Sequence, residues 1–292
     1  MGNNQVMTSF EEKYYVSFDG LRLYYRLYAS PLIPQKRPMI LCLSGLTRNS
    51  GDFHQLSLEY KESFNIVSVD YRGRGLSAYD TNWQNYRAEI YIRDLLQLLS
   101  QFSQEKLVVI GTSMGGLLGM GLTQFIPNKI LGMVLNDIGP AIINNGLERI
   151  IQYIQLDSPQ KSQREALQWL LKLYPLLAKR PKQQQDDFVK STYRLREDGL
   201  LHYNWDTNIA LALQKESNYP IDLWKFFREL SPRPVLGFRG ELSDVLSPET
   251  FKKMAQELTS FTPVTVAGVG HTPFLNEPEC KVALRKFLGQ FE

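Results

Sequence analysis

One serine in the 292-residue chain has a setting typical of a catalytic nucleophile. Ser113 lies in the pattern Gly-Thr-Ser-Met-Gly at 111–115, directly after the apolar run Val-Val-Ile at 108–110. A strand that turns sharply into a helix at Gly-x-Ser-x-Gly holds the serine hydroxyl exposed at the head of the helix. The backbone N–H of Met114 then faces the point where negative charge builds on an attacked carbonyl oxygen. The pattern predicts that Ser113 attacks carbonyl groups.

A serine hydroxyl needs an adjacent base to act as a nucleophile near neutral pH. The chain has three histidines. His271 stands in a Gly-Val-Gly-His turn just after the last predicted strand, at the carboxyl edge of the sheet from which Ser113 also projects. His271 is therefore the predicted base. His54, near the start of a helix, is expected to pack or cap there, and His202 to have a surface or lid role.

A carboxylate must orient that histidine and stabilise its charged form. Asp244, which follows the penultimate predicted strand, is the predicted acid, because the chain order Ser, acid, His suits a strand–Gly-x-Ser-x-Gly–helix protein. Two alternatives stay open. Asp137 follows an earlier strand and reaches the same edge from the other side, and Glu241 lies nearer the end of the penultimate strand than Asp244 does.

The loop at 43–51 is expected to supply the second donor for the oxyanion. Gly45 allows the backbone to approach a substrate closely, which leaves the N–H of Leu46 as the predicted donor beside that of Met114. Arg48 in the same loop is a candidate to contact a substrate carboxylate or carbonyl. The loop at 70–77 lacks the Gly-Lys-Ser/Thr ending of a phosphate-binding loop, so we predict a structural role for it.

Short β-rich runs alternate with helical patterns along most of the chain, as expected for a doubly wound α/β sheet. Asp19-Gly20 predicts a hairpin turn between two strands. The predicted strands cover 14–18, 22–28, 39–43, 64–70, 106–111, 130–136, 234–238 and 263–267. The predicted helices cover 86–102, 114–125, 147–156, 166–177, 185–195, 223–230, 247–258 and 278–291, with a further helix start at Ser158-Pro159.

Strand patterns are missing between residues 139 and 232 and resume afterwards. We therefore predict a core domain of residues 1–138 and 233–292, interrupted by a helical cap at 139–232. The cap sequence is rich in aromatic residues, and small-molecule pockets are usually apolar. Trp169 and Trp205 are its candidate substrate contacts.

Composition excludes several classes of function. The chain has 33 Lys+Arg against 30 Asp+Glu, which is too even for a nucleic-acid surface. No apolar run approaches the roughly 20 residues that cross a bilayer. The first residues lack a signal pattern, and two cysteines give no disulfide framework. We expect a cytoplasmic protein without nucleic-acid or membrane partners, leaving its oligomeric state open between monomer and homodimer.

Together these motifs resemble the α/β-hydrolase superfamily, in particular its capped branch. The resemblance rests on the Gly-x-Ser-x-Gly turn, the loop at 70–77, Asp244 at a strand end and the turn at 268–271. It implies a mostly parallel sheet of about eight strands, with the cap inserted after the sixth. Branch members include carboxylesterases, enol-lactone hydrolases and carbon–carbon bond hydrolases, and no metal or organic cofactor is implied.

Departures from the family pattern narrow this choice. Ser113 stands where dehalogenases and epoxide hydrolases carry an aspartate, and Ser44-Gly45 replaces the usual His-Gly pair. The loop also lacks the His-Gly-x-Gly-Pro-Gly stretch typical of carbon–carbon hydrolases. Hydrolysis of a small, hydrophobic ester or lactone is the resulting prediction. The alternatives are carbon–carbon cleavage of ring-cleavage products and a non-catalytic small-molecule receptor on the same fold.

Overall fold

The computed structural model describes residues 9–29, 36–102, 105–143, 150–215 and 222–292. Within these ranges an eight-stranded sheet has the order β1-β2-β4-β3-β5-β6-β9-β10. Its strands are β1 (Glu11–Val16), β2 (Arg22–Tyr28), β3 (Met39–Leu43), β4 (Ile66–Val69), β5 (Leu107–Thr112), β6 (Ile130–Asn136), β9 (Val235–Gly240) and β10 (Phe261–Val266). The predicted sheet is confirmed, with its antiparallel pairings confined to β1–β2 and β2–β4.

The strands at the centre of the sheet are buried on both faces. All five residues of β3 are buried, and so are the first five residues of β5. Alternate residues of each strand point to opposite faces, so Leu41 and Val109 belong to one apolar cluster and Ile40 and Val108 to another. Helices cover both faces, which is why these strands read as continuous apolar runs in the sequence.

Helices follow most strands of the sheet. Those that follow sheet strands are α1 (His54–Tyr60), α2 (Ala88–Leu99), α3 (Met114–Leu122), α8 (Pro248–Glu257) and α9 (Pro278–Leu288). The 139–232 segment contributes α4 (Gln163–Leu173), α5 (Lys182–Thr192), α6 (Ile209–Lys215) and α7 (Leu223–Arg228). Ser247 caps α8 as its Ser-Pro-Glu sequence predicts, because its hydroxyl accepts from the N–H of Thr250. No helix in the described part of the chain combines the length and apolarity that a membrane crossing requires.

The segment between β6 and β9 differs from the predicted all-helical cap in two places. A two-stranded antiparallel sheet forms from β7 (Tyr193–Leu195) and β8 (Leu201–Tyr203). These strands have three residues each, too few to give a readable period-two pattern. The helix start predicted at Ser158-Pro159 is also wrong, since Ser162 caps α4 by accepting from the N–H of Glu165. The predicted helix at 147–156 falls partly outside the described residues, and 150–154 are helical.

The 139–232 segment joins the core through the loop at 70–77. The N–H of Gly75 donates to the carbonyl of Asn204 at 3.0 Å, and the N–H of Asp206 donates to that of Gly73 at 2.8 Å. Between these bonds lies Trp205, which is 1% exposed. The predicted structural role of the loop is confirmed.

Arg72 in the same loop anchors the edge of the sheet. Its guanidinium is fully buried and binds Asp19, Asp80 and Asp94 at 2.8, 2.6 and 2.7 Å among the described residues. Burial raises the pKa of Asp94 to about 6, although Arg72 acts to lower it. One buried cation thus holds together the hairpin turn, the loop and helix α2.

We predict that Arg72→Met destabilises the fold by about 3–5 kcal/mol, because it leaves buried carboxylates without their cation. Urea unfolding followed by circular dichroism measures the change. The matched control is Arg228→Met, which breaks an exposed ion pair with Glu257 and is expected to cost less than about 1 kcal/mol. Equal losses in the two variants would contradict the anchoring role of Arg72.

Candidate active site

The backbone at Ser113 makes a tight turn that only small neighbours allow. Ser113 has φ 51° and ψ −120°, a region that costs most residues about 1–3 kcal/mol. A Cβ on Gly111 would lie 2.5 Å from the nitrogen of Gly116, and one on Gly115 would lie 2.0 Å from the carbonyl oxygen of Leu43. Helix α3 therefore approaches β3 at a distance that requires glycine, and the serine is presented at the strand end.

His271 links Ser113 to a carboxylate. Its Nε2 lies 2.9 Å from the Oγ of Ser113, and its Nδ1 lies 2.7 Å from Oδ2 of Asp137. The tautomer that satisfies both contacts carries the proton on Nδ1, donates to Asp137 and accepts from the serine hydroxyl. The three side chains form one hydrogen-bonded chain from a buried carboxylate to the serine hydroxyl.

Asp137 is held in place by donors from two further segments. It directly follows β6, has a φ of 55° and is fully buried. Its Oδ1 accepts from the N–H of Gly240 at 2.8 Å, and its Oδ2 accepts from the hydroxyl of Ser243 at 2.7 Å as well as from His271. A buried carboxylate needs such partners to stay charged, and these fix its direction toward the imidazole.

The predicted contact between Asp244 and His271 is replaced by the contact from Asp137. Asp244 lies four residues beyond β9 and lines the cavity beside His271, but Asp137 already occupies Nδ1 of that histidine. Asp137 directly follows β6, the neighbour of β5 in the sheet, whereas a turn separates Asp244 from β9. The path from the strand end to the imidazole is therefore shorter for Asp137. Glu241 points away, since its carboxylate accepts from the N–H of Gly268 at 2.7 Å. The geometry therefore favours the alternative that the sequence left open, in which Asp137 is the carboxylate that orients His271.

The two residues predicted to donate to an oxyanion, Leu46 and Met114, belong to segments that adjoin Ser113. A Cβ on Gly45 would lie 3.8 Å from the Cβ of Ser113, so the loop before Leu46 passes directly beside the serine. Met114 is the first residue of α3, and the N–H groups of a first helical turn have no intrahelical acceptor. Both observations fit the prediction that the N–H groups of Leu46 and Met114 are the oxyanion donors, which stays a prediction.

A cavity of about 1180 Å³ opens above Ser113 and His271. One wall is a series of aromatic rings from the 139–232 segment and the His271 loop: Tyr153, Tyr174, Phe188 and Phe274. Neighbouring ring centroids are 6.3, 5.4 and 5.8 Å apart in that order. Burial in this wall raises the pKa of Tyr153, so its hydroxyl stays neutral. The wall is suited to apolar parts of a ligand.

Trp169 and Trp205 are not among the described residues that line the cavity. The indole N–H of Trp169 donates to the hydroxyl of Tyr203 at 2.8 Å. Trp205 stacks on the ring of Tyr203 with centroids 4.1 Å apart. Both tryptophans pack the 139–232 segment internally, so their prediction as substrate contacts is corrected.

Arg48 lines the cavity, but its guanidinium is already engaged. It forms a bidentate pair with Asp52 and donates to the hydroxyls of Ser191 and Thr192 at 2.7 and 2.5 Å. It also lies over the ring of Phe188 at 4.2 Å. Burial opposes its charge, yet Asp52 keeps the pKa of Arg48 above its usual value. The side chain joins the loop after β3 to α5 rather than standing ready for a substrate carboxylate.

Arg180 makes a comparable connection on the opposite side and was missed in the sequence. Its guanidinium pairs with Glu277 and donates to Asn276 at 2.8 Å, and it lies 4.4 Å over the ring of Phe274. Burial opposes the charge of Glu277, but the N–H of Phe274 and Arg180 hold its pKa below the usual range. No motif marks Arg180, because its role depends on a partner 97 residues away.

Of the remaining histidines, His54 lines the same cavity, whereas His202 and the two cysteines are not among its described lining residues. His54 contacts the hydroxyl of Tyr28 at 2.8 Å, and His202 binds exposed carboxylates in the 139–232 segment, as predicted for packing and surface roles. Cys42 and Cys280 are buried and unpaired in the described chain. The described residues contain no His, Cys, Asp or Glu cluster with metal-binding geometry.

Comparison with known proteins gives consistent results. Residues 38–278 match the family model described as alpha/beta hydrolase fold. The 3-hydroxybutyrate-oligomer hydrolase of Cupriavidus necator is 30% identical over 279 residues, which are 92% of this chain and 93% of that protein. The 2-(acetamidomethylene)succinate hydrolase of Mesorhizobium japonicum is 25% identical, with 85% and 86% of the two chains covered.

A solved structure agrees over nearly the whole chain. The crystal structure of an alpha/beta hydrolase from Novosphingobium aromaticivorans has a TM-score of 0.90 and 35% identity. The match covers 97% of this chain and 99% of that one. The eight-stranded sheet and its flanking helices are therefore the arrangement that the sequence resemblance implied.

We predict that Asp137→Asn lowers kcat for an ester about 10⁴-fold, because an amide favours the wrong tautomer of His271. Asp244→Asn is expected to have a far smaller effect, since Nδ1 of His271 keeps its partner. Steady-state kinetics on purified proteins measure both, with thermal unfolding as a check that each variant is folded. A larger loss in Asp244→Asn would assign the acid to the turn after β9.

Proposed function

The chain belongs to the α/β-hydrolase family, and from this membership we propose that it is a serine hydrolase of carboxylic esters. The observation that carries the proposal is the hydrogen-bonded chain from Asp137 through His271 to Ser113. This is the arrangement that an acyl-enzyme mechanism requires, with the nucleophile, base and orienting carboxylate in contact before substrate binds. Ser113 is the nucleophile, His271 the base and Asp137 the acid.

In the first half of the reaction, His271 Nε2 takes the proton of Ser113 as its oxygen attacks the ester carbonyl. The N–H groups of Leu46 and Met114 stabilise the oxyanion, and each such donor is typically worth about 3–4 kcal/mol. Asp137 stabilises the imidazolium without accepting its proton. His271 then protonates the leaving alkoxide, which departs as an alcohol.

In the second half, water attacks the acyl group on Ser113. His271 removes a proton from the water, and the same donors stabilise the second oxyanion. Collapse of this intermediate breaks the bond to Ser113 and releases the carboxylic acid, while the proton returns to the serine. Every proton transfer in this scheme uses the Nε2 atom that lies 2.9 Å from the serine oxygen.

We assign the substrate class as short, mainly apolar esters, including oligoesters of hydroxy acids. The cavity of about 1180 Å³ exceeds the roughly 300–1,000 Å³ usual for small-molecule sites, which suits an extended oligoester. Its aromatic wall suits apolar repeats. The name of the Cupriavidus necator relative, a 3-hydroxybutyrate-oligomer hydrolase, supports the same class.

The 139–232 segment acts as a cap over this cavity, with residues 1–138 and 233–292 as the core. Among the contacts that join them in the described part of the chain are those of Arg48 and Arg180. Arg48 binds Ser191 and Thr192 from the core side, and Arg180 binds Glu277 from the cap side. Since both arginines line the cavity, these connections form part of its wall.

The proposal is tested with the wild-type protein on a panel of 3-hydroxybutyrate dimer and trimer, p-nitrophenyl butyrate, a lactone and a ring-cleavage diketone acid. We expect turnover of the oligoesters and the nitrophenyl ester. Ser113→Ala should lower kcat about 10⁴- to 10⁶-fold because it removes the nucleophile. Product release is followed by chromatography and by nitrophenol absorbance.

Each alternative function gives a different pattern on this panel. Turnover of the diketone acid without turnover of any ester would assign carbon–carbon cleavage instead. Tight binding without turnover of any compound would assign a receptor. Residual esterase activity that is equal in Ser113→Ala and the wild type would place the nucleophile elsewhere.

A further inference from the structure

Arg74 is a fully buried arginine whose partners are mostly backbone carbonyls. Its Nε donates to the carbonyl of Leu46 at 2.6 Å, and its Nη1 donates to the carbonyl of Arg72 at 2.8 Å and the hydroxyl of Tyr91 at 2.7 Å. Among the described residues it forms no salt bridge, and its Nη2 has no hydrogen-bond partner. Arg72, two residues earlier, binds carboxylates instead. The two buried arginines of this loop therefore have different types of hydrogen-bond partner.

A buried cation without a carboxylate partner is costly, and the surroundings of Arg74 offset only part of this cost. Tyrosine rings enclose the guanidinium, with the centroids of Tyr91, Tyr71 and Tyr86 at 4.8, 5.8 and 5.9 Å from its carbon. Such cation–π contacts attract the charge to the ring faces, but they do not replace a carboxylate partner. An apolar side chain would fill this site without burying a charge. Packing therefore does not explain why residue 74 is an arginine.

The shortest bond of Arg74, at 2.6 Å, goes to the carbonyl of Leu46. Leu46 lies in the loop at 43–51, here called the oxyanion loop. Three consecutive carbonyls of that loop each accept a hydrogen bond. The carbonyl of Ser44 accepts from the hydroxyl of Tyr71 at 3.3 Å, that of Gly45 from the N–H of Arg48 at 3.1 Å, and that of Leu46 from Arg74. Tyr71 and Arg74 both come from the loop that follows β4.

These bonds fix the direction of the Leu46 N–H. In a trans peptide the C=O and N–H point in opposite directions. The Gly45 carbonyl, tied to Arg48, shares a peptide plane with the Leu46 N–H and turns it the opposite way. The Arg48 bond thus holds the plane that carries the Leu46 N–H, and Arg74 holds the next plane through the Leu46 carbonyl. The two planes meet at the Cα of Leu46, so a shift of the donor also strains the bond to the buried cation.

We propose that Arg74 is a positioning residue for hydrolysis: it fixes the oxyanion donor Leu46 by binding the carbonyl of the same residue. The inference rests on the proposed function, because the donor matters only if Ser113 attacks a carbonyl. Arg74 touches neither substrate nor the reacting atoms. Its effect is expected in the transition state, where the oxyanion forms, and not in ground-state binding.

The test compares Arg74→Met, Arg74→Lys and the wild-type protein on p-nitrophenyl butyrate. We expect Arg74→Met to lower kcat about tenfold to a hundredfold per titrated active site, less than the 10²–10³ typical for deletion of a donor itself. KM should change less than about twofold, and the pH profile of kcat should keep its shape because His271 is untouched. Arg74→Lys should recover part of kcat, since an ammonium still donates to the Leu46 carbonyl.

The matched control is Arg233→Met. Arg233 also donates to backbone carbonyls, those of Ile130, Glu229 and Pro127, but far from Ser113. It should lose stability without losing kcat per titrated site. An Arg74→Met protein with unchanged kcat, or one that loses kcat only in proportion to its unfolded fraction, would overturn the proposal. If Arg74→Met does not fold, Arg74→Lys carries the same test with a smaller expected loss.

A second measurement separates this inference from the proposed function. The rate at which a fluorophosphonate labels Ser113 requires the nucleophile and the oxyanion donors but no ester turnover. Suppose that the wild-type protein hydrolyses no ester and that Arg74→Met is labelled about tenfold or more slowly than the wild type. This result would support the positioning role and refute the ester substrate. Equal labelling rates in Arg74→Met and wild type would refute the positioning role, whatever the substrate.

Discussion

The hydrogen bond between Asp137 and His271 is the contact on which the rest of the site depends. A fully buried carboxylate is stable only with partners, and those of Asp137 come from the end of β9, from the turn that follows it and from the loop after β10. The buried charge therefore draws segments that are more than 100 residues apart in the sequence to one point. The imidazole cannot turn away from Ser113 without losing its hydrogen bond to that buried carboxylate.

Backbone sterics place the serine at the same point. Helix α3 approaches β3 so closely that Gly115 has no room for a side chain, and this approach holds Ser113 in a strained conformation at the strand end. The loop after β3 then passes beside the serine, where bonds from Tyr71, Arg48 and Arg74 hold its carbonyls. In the proposed mechanism, packing therefore sets the nucleophile and its oxyanion donors before substrate enters, which is the arrangement that electrostatic catalysis requires.

Much of this arrangement could be predicted from the sequence. Ser113 and His271 were predictable because apolar strands, glycine spacing and a shared sheet edge all mark them. The sequence could not decide whether Asp137 or Asp244 contacts His271. Both residues follow strands at that edge, and which one reaches the imidazole depends on the conformation of the turns. The roles of Trp169 and Trp205 were also hidden, because an aromatic residue that packs inside a cap has the same sequence signal as one that lines a cavity.

Proton NMR of the histidine-labelled protein tests the central contact most directly. The chain has three histidines, and the His271 side chain is 9% exposed, so its Nδ1–H should exchange slowly enough to be observed and assigned. We predict a resonance far downfield of the amides that persists in Asp244→Ala and disappears in Asp137→Ala. A resonance that survives removal of Asp137 and is lost with Asp244 would contradict the account.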